Sequence, residues 1–194
     1  MSYTNNLYNI EPPPDNILQE RLRTPMSDDD VEKYIGGASS RDIIKYSDLE
    51  NYETIDDLLP NPFDYRIILI ETRENLGHWV LLLKHNNSYE YFNSYGVNAD
   101  SQKNRLNKMM NRLLGQKEDF VMKLIKASKK KYVINNIPFQ NRNPQIATCG
   151  RWCILRILTA EKMGMDLTEF TRYVLKNCDK MRISPDMLVC MFVT

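Results

Sequence analysis

Histidine is scarce in this chain: among 194 residues there are two, His78 and His85, alongside four cysteines. Both histidines lie far upstream of every cysteine, and Cys149 and Cys153 are four residues apart in a segment predicted to be helical. This distribution lacks the paired ligand spacing of a structural zinc site, so no metal site is predicted. The four cysteines are Cys149, Cys153, Cys178 and Cys190.

A long apolar run and a secretory signal are also missing. No stretch approaches the roughly 18 apolar residues that a membrane span needs. The N-terminal residues MSYTNNLYNIEPPPD contain no basic region followed by an apolar core. We therefore expect a protein of the cytosol or nucleus that does not enter a membrane and keeps its thiols reduced.

The length suits one globular unit, in which we expect an N-terminal arm and helical flank over 1–62 and a main domain over 63–194. Because three prolines interrupt residues 1–24, that part is predicted to be a mobile or surface arm. Ser27 or Asp28 then caps a short helix that Gly36-Gly37 ends. Helix-like segments at 46–52 and 55–59 follow.

The net charge is only +1, but it is unevenly distributed. Residues 100–131 contain ten basic and three acidic residues, whereas residues 1–62 contain five basic and thirteen acidic residues. The basic region is either a solvated helix face or a docking surface for nucleic acid or an acidic partner. The sequence leaves both interpretations open.

Short apolar runs rich in Ile, Val, Leu, Tyr and Phe predict strands in the middle of the chain, and helical spacing of apolar residues predicts helices after them. Short polar links join the first three strands as hairpins. We expect an α+β fold with a central mixed sheet flanked by helices on each side. The predicted strands are 66–73, 78–85, 89–95 and 130–140. The predicted helices are two within 101–127, then 149–163, 167–177 and 185–192.

Cys149 stands out among the thiols because an irregular polar loop precedes it and Gly150 follows it. The predicted helix begins at Cys149, and the positive end of a helix dipole favours thiolate, the nucleophilic form of cysteine. Cys153, Cys178 and Cys190 occur within helical segments and are interpreted as structural. The sequence thus indicates a cysteine enzyme with Cys149 as nucleophile.

A cysteine nucleophile needs a base, and the two histidines make the choice narrow. His85 lies in a polar turn, whereas His78 opens a buried strand beside Trp79. The next strand pairs with the His78 strand as a hairpin, so its end at Asn93 returns to about the level of His78. An Asn93 amide oxygen could accept the imidazole Nδ1 proton and fix the tautomer.

The order His, Asn, Gln, Cys-Gly, in the segments GHWVLLL, YEYFNSYG, FQ and TCGRWC, resembles the adenain-like and Ulp-like cysteine proteases. That family includes the adenovirus maturation proteinase, deSUMOylating enzymes, and relatives from large DNA viruses and virophages. The resemblance covers roughly residues 60–160. Papain places its cysteine before its histidine, so the chain order distinguishes the two groups.

By this resemblance Cys149 is the nucleophile, His78 the general base and Asn93 the orienting residue, where the family usually has Asp or Glu. A neutral amide there implies a lower imidazolium pKa and a narrower acid limb. A glutamine before the cysteine would donate to the oxyanion. The family spaces it six or seven residues upstream, whereas Gln140 lies nine and Gln145 four residues upstream. Gln140 is preferred because it ends the predicted strand.

The resemblance implies a papain-like α+β domain over 63–194, acting as a monomeric endopeptidase on viral capsid or core precursors at Gly-containing sites. Trp79 would narrow the substrate channel. No cofactor is implied apart from activation by nucleic acid through 100–131, and the expected location is the host cytoplasm, the host nucleus or the virion. The alternatives are an isopeptidase for ubiquitin-like modifiers and an inactive scaffold. Gly36-Gly37 is either a cleavage site or the stop of a helix.

Overall fold

The computed structural model describes residues 13–35, 42–85 and 88–194. Gly36-Gly37, for which two interpretations were open, lies outside these residues. The helices are α1 (Asp15–Arg23), α2 (Asp28–Tyr34), α3 (Ile55–Leu58), α4 (Lys108–Leu113), α5 (Phe120–Ser128), α6 (Cys149–Met163), α7 (Leu167–Met181) and α8 (Pro185–Phe192). The strands are β1 (Ile43–Lys45), β2 (Asp64–Arg73), β3 (Leu76–His85), β4 (Ser88–Phe92) and β5 (Tyr132–Ile134). Two 3-10 helices span Tyr46–Asn51 and Ser101–Arg105.

The five strands form one mixed sheet in the order β1-β2-β3-β4-β5. Strands β2, β3 and β4 are antiparallel neighbours, while β1 and β5 add in parallel at the two edges. The predicted strands at 66–73, 78–85 and 89–95 and their hairpin pairing are therefore confirmed, with ends shifted by a few residues.

Alternating residues of the sheet face two separate apolar clusters. Leu81 and Leu83 of β3 lie in a cluster with buried residues of α6, α7 and α8. Val80 and Leu82 lie in the opposite cluster with residues of α3 and α5. Successive side chains of a strand point to opposite faces, so both faces of β3 are buried. The prediction of a mixed sheet with helices on each side is confirmed.

Residues 1–24 were predicted to be a mobile or surface arm, and in the part that the structure describes 15–23 form the surface helix α1. Leu18 and Leu22 are four residues apart and share one helix face, where both are buried. They lie in the same apolar cluster as residues of α6 and α8. The burial of these two leucines stabilises a helix directly after the prolines, which the sequence pattern alone did not indicate.

Two other predictions were too long. The helical stretch beginning at 101 breaks into a 3-10 helix and α4, because the side chain of Asn107 accepts from Met110 N and starts a new helix. Met109 and Leu113, two of the apolar residues whose helical spacing predicted this helix, are 71% and 70% exposed. The strand predicted at 130–140 ends at Ile134, where the Asn135 side chain bonds to the main chain instead. Strand β1 was not predicted.

Candidate active site

Cys149 is the first residue of α6, as predicted, and its thiol is surrounded by main-chain donors. The backbone N–H groups of Trp79, Gly150 and Cys149 itself act on the thiol and favour its charged form. Trp79 directly follows His78 in β3, so the contact brings the helix N-terminus against the strand that carries the predicted base. The Cys149 side chain is only 7% exposed.

Burial raises the pKa of the Cys149 thiol above its ordinary value, although the three backbone N–H groups and Arg151 act in the opposite direction. The expectation that the helix end favours thiolate is therefore not met in the resting structure, because desolvation outweighs the dipole. Burial likewise lowers the pKa of His78 to about 4, opposed by the bond to Asn93 and assisted by the charge of Arg105. Both shifts favour the neutral thiol and the neutral imidazole.

His78 and Asn93 meet as predicted, but through the other ring nitrogen: Nε2 lies 2.9 Å from Asn93 Oδ1. The same oxygen accepts from the Tyr95 backbone N–H at 3.0 Å, which fixes it as the acceptor. Nε2 of His78 must then carry the ring proton, and Nδ1 keeps the lone pair. The prediction that Asn93 accepts from Nδ1 is wrong, and the atom left to act as a base is Nδ1.

Tyr95, which the sequence did not single out, stacks on the His78 ring with centroids 4.4 Å apart and planes at 13°. The register between β3 and β4 indicates that Tyr95 lies near His78. Leu81 pairs with Phe92, so the same register continued past the end of β4 brings Tyr95 opposite His78. Asn93, two residues earlier on the same face, is then the diagonal neighbour of the imidazole.

Gln140 is buried, whereas Gln145 is exposed. Gln140 Oε1 accepts from Ser94 Oγ at 2.7 Å, and Nε2 donates to Ile146 O at 3.0 Å, in the loop that leads to Cys149. An amide nitrogen carries two N–H groups, so this bond uses one of them. The preference for Gln140 over Gln145 remains a prediction, and its burial beside this loop supports it.

The loop 141–148 is held at both ends by Asp186, another residue that the sequence did not indicate. Its carboxylate accepts from Asn141 N at 2.8 Å and from Thr148 Oγ1 at 2.6 Å. Burial raises the pKa of Asp186, and these two bonds act in the opposite direction. Ala147 N also donates to Leu22 O of α1 at 2.7 Å. Asp186 and α1 together fix the approach to the α6 N-terminus.

A groove of about 400 Å³ leads to Cys149 and is walled by Trp79, Met26 and Gly77. A Cβ built on Gly150 would lie 3.2 Å from Met26 Cβ and 3.3 Å from Trp79 Cδ1. Such contacts are tighter than ordinary packing distances, so glycine lets α6 approach the tryptophan closely. Trp79 therefore lies beside the thiol, as its predicted role requires.

The other candidate features are distributed away from this groove. His85 ends β3 and meets Phe63 edge-on, with ring centroids 6.0 Å apart. Four of the ten basic residues in 100–131 form ion pairs with acidic side chains. Within 13–35, 42–85 and 88–194, no group of three or more His, Cys, Asp or Glu could hold a metal ion. The four paired lysines are Lys103, Lys117, Lys123 and Lys130.

All four cysteines are buried and free. No helix in the described part of the chain is long and apolar enough to cross a membrane.

The fold and the site define an α+β protein with a mixed five-stranded sheet and a buried thiol at a helix N-terminus, next to the strand that carries a buried imidazole. No family model matches the chain. It is 37% identical over 151 residues to "Uncharacterized protein V9" of Sputnik virophage, a match that covers 77% of this chain and 84% of V9. The chain belongs to the same family as V9 and is a virophage-related viral protein.

Proposed function

We propose that this protein is a papain-like cysteine endopeptidase of the adenain and Ulp type, with Cys149 as nucleophile and His78 as general base. The observation that carries the proposal is the His78–Asn93 contact through Nε2, which leaves Nδ1 as the free base in the strand that contacts the Cys149 thiol.

The neutral thiol and the neutral imidazole suit a general-base mechanism. His78 Nδ1 takes the thiol proton as the Cys149 sulfur attacks the carbonyl carbon of the scissile peptide bond. The imidazolium then gives that proton to the leaving amine as the carbon–nitrogen bond breaks, which leaves a thioester. Water, deprotonated by His78, attacks the thioester, and the proton returns to the sulfur. Asn93 holds the ring in one tautomer throughout.

Two donors are available for the oxyanion. One is the Cys149 backbone N–H at the start of α6, where main-chain donors have no helical acceptor. The other is the second N–H of the Gln140 amide, whose orientation is held by Ser94 and Ile146. Removing one such donor typically lowers the rate about 100-fold or more.

Substrate preference follows from the groove. The indole of Trp79 and the side chain of Met26 line the groove beside the thiol. A Cβ built on Gly150 would press against both side chains, so there is little space between them and α6. Small residues at the scissile bond fit this space, which supports cleavage at Gly-containing sites. Membership of a viral family supports capsid or core precursors as substrates in the host cytoplasm, the host nucleus or the virion.

A thiol-reactive vinyl sulfone ending in Gly-Gly tests the proposal directly. Intact-mass measurement should show one adduct on the wild-type protein and none on Cys149→Ala or His78→Ala, while Cys153→Ser should label normally. Cys153 is the matched control because it is a buried thiol one helical turn further along α6. A folded wild-type protein without adduct would instead support an inactive scaffold.

The isopeptidase alternative uses the same catalytic residues, so substrates must separate it from the endopeptidase. Viral precursor proteins and conjugates of ubiquitin-like modifiers should be incubated with the same enzyme preparation. Cleavage of precursors but not of conjugates is the expected result.

Activation by nucleic acid is a further part of the proposal, since six of the ten basic residues in 100–131 form no ion pair with the described residues. Activity independent of salt and of added DNA would remove that part.

A further inference from the structure

Two arginines converge on the ring that covers His78. The guanidinium carbons of Arg105 and Arg142 lie 5.3 Å and 5.9 Å from the centroid of Tyr95, which itself stacks on the imidazole. Arg105 ends the 3-10 helix that follows β4, and Arg142 belongs to the loop before Cys149. Both side chains are exposed, so two positive charges from separate segments meet at the surface beside the site.

Neither arginine is neutralised within the described part of the chain, where both lack an ion pair. Cys149 and Asp186 are the acidic groups that act electrostatically on Tyr95. Both are buried, and Asp186 already accepts from Asn141 and Thr148. Attraction to the aromatic ring holds each guanidinium group beside Tyr95 without cancelling its charge. An external carboxylate could satisfy both donors, because the planar guanidinium matches carboxylate geometry.

The direction of the substrate follows from the proposed chemistry, on which this inference rests. His78 must protonate the leaving amine, so the chain that leaves lies on the imidazole side of the thiol. Tyr95 and its two arginines lie on that side. The groove walled by Met26 and Trp79 reaches Cys149 but is lined by neither His78 nor Tyr95, so we assign it to the acyl part of the substrate.

We propose that Arg105 and Arg142 form a subsite for an acidic side chain of the substrate on the C-terminal side of the scissile bond. The pair is specificity-determining: it binds the carboxylate of Asp or Glu within the first few residues of the leaving chain. The neutral ring of Tyr95 positions both guanidinium groups, and the arginines alone supply the charge that binds the carboxylate.

The test is a random peptide library cleaved by the full-length protein, with the new N-termini sequenced. Asp and Glu should be enriched about two- to fivefold within the first three positions after the cut, as expected for exposed ion pairs. The double variant Arg105→Gln/Arg142→Gln should lose this enrichment. Lys108→Gln/Arg112→Gln is the matched control, because it removes the same charge from the exposed face of α4 and should leave the enrichment unchanged.

The Gly-Gly vinyl sulfone separates failure of this inference from failure of the proposed function, since it occupies only the acyl side. At pH 7 both double variants should still label Cys149, because removing the Arg105 charge only raises the pKa of His78 from a value of about 4. Normal labelling and cleavage with no acidic preference would overturn the subsite alone, whereas a wild-type protein that does not label would remove the enzyme itself. Stimulation by an oligonucleotide that is lost in Arg105→Gln/Arg142→Gln, without acidic preference, would assign the pair to phosphate and overturn the proposal.

Discussion

Asn93 occupies the position where the adenain-like and Ulp-like proteases that the sequence resembles usually have a carboxylate, and its neutrality has a defined effect on His78. The amide oxygen accepts from the imidazole and from Tyr95 N, so it orients the ring as a carboxylate would. It supplies no negative charge to stabilise an imidazolium. Burial therefore dominates, and the pKa of His78 falls to about 4.

The substitution Asn93→Asp should raise the His78 pKa by about one to three units, since an opposite charge within hydrogen-bonding distance favours the protonated ring. The base is active only when neutral, so the acid limb of acylation should move to higher pH by a similar amount. The measurement is the rate of Cys149 acylation by a peptide ester between pH 3 and 8.

Asn93→Ala is the control for this substitution, because it removes the acceptor without adding charge. It should slow acylation at all pH values without moving the acid limb upward. An unchanged profile for Asn93→Asp would count against Asn93 as the orienting residue.

At this scale the sequence pointed to Cys149 and His78 because the chain has only four cysteines and two histidines. It pointed to Asn93 because the predicted hairpin brings the end of that strand to the level of His78. It could not give the direction of the thiol pKa shift, which depends on how deeply α1, α6 and the sheet bury Cys149. Asp186 was missed for a related reason. Its two bonds join segments 38 and 45 residues apart in sequence, and no local pattern encodes such a contact.

Helix α6 carries a buried ion pair that ties it to β4. Arg156 is fully buried, and its Nε and Nη2 each lie 2.7 Å from a separate oxygen of Glu90. The guanidinium carbon also lies 5.2 Å from the centre of the Phe170 ring. Because α6 begins at Cys149 and β4 leads to Asn93, this pair fixes the register between the two parts of the site.

Breaking the pair with Glu90→Gln should lower the free energy of unfolding by about 3–5 kcal/mol, because a buried guanidinium loses its counter-charge. The joint replacement Glu90→Leu/Arg156→Met should recover much of that loss, since no charge remains buried. Urea denaturation gives the values. In the exposed pair Lys123–Glu118, Glu118→Gln should leave stability nearly unchanged.

A double replacement as unstable as Glu90→Gln would show that packing, rather than the unpaired charge, limits this part of the core.

Elements with strong periodicity were predicted well, including β2 to β4 and helices α5 to α8. Short elements were not predicted well, because contacts with distant parts of the chain determine whether they form. Strand β1 has three residues and exists through its parallel pairing with β2, and the stretch after Ser101 splits where Asn107 caps α4. Helix α1 was hidden by the prolines before it and by an apolar stripe of only a few residues.

On the scale of the whole molecule, the N-terminal segment completes the site rather than merely flanking it. Leu22 O of α1 accepts from Ala147 N, and Thr24 O accepts from Arg151 Nη1 at 2.8 Å. Arg21 Nη1 donates to Cys190 O of α8 at 3.0 Å. Helix α1 therefore holds the loop before Cys149, the first turn of α6, and α8. The predicted division at residue 62 stays a prediction, with these contacts crossing it.

A chain that begins at Pro25 should be less stable than one that begins at Pro13 by about 3–6 kcal/mol, the value of burying two leucine side chains. The backbone amide of Ala147 should also lose its protection from hydrogen exchange, because its acceptor is gone. Urea denaturation and hydrogen exchange measure the two effects.

If the shorter chain does not fold, Leu22→Ala in the full chain provides the same comparison with an expected loss of about 2–5 kcal/mol. Equal stability of the Pro13 and Pro25 chains, with Ala147 still protected, would show that α1 does not support the site.

The contacts of the site close very different lengths of chain. The His78–Asn93 bond spans 15 residues, whereas the bonds from Arg151 to Thr24 and from Arg21 to Cys190 span 127 and 169. Closing a longer loop costs more chain entropy, so the hairpin is expected to form before the two ends of the chain are joined. During synthesis the imidazole would thus be oriented before the helix that carries the thiol is held in place. The proposed protease activity would then be delayed until α8, which Arg21 bonds at Cys190 O, has joined the fold.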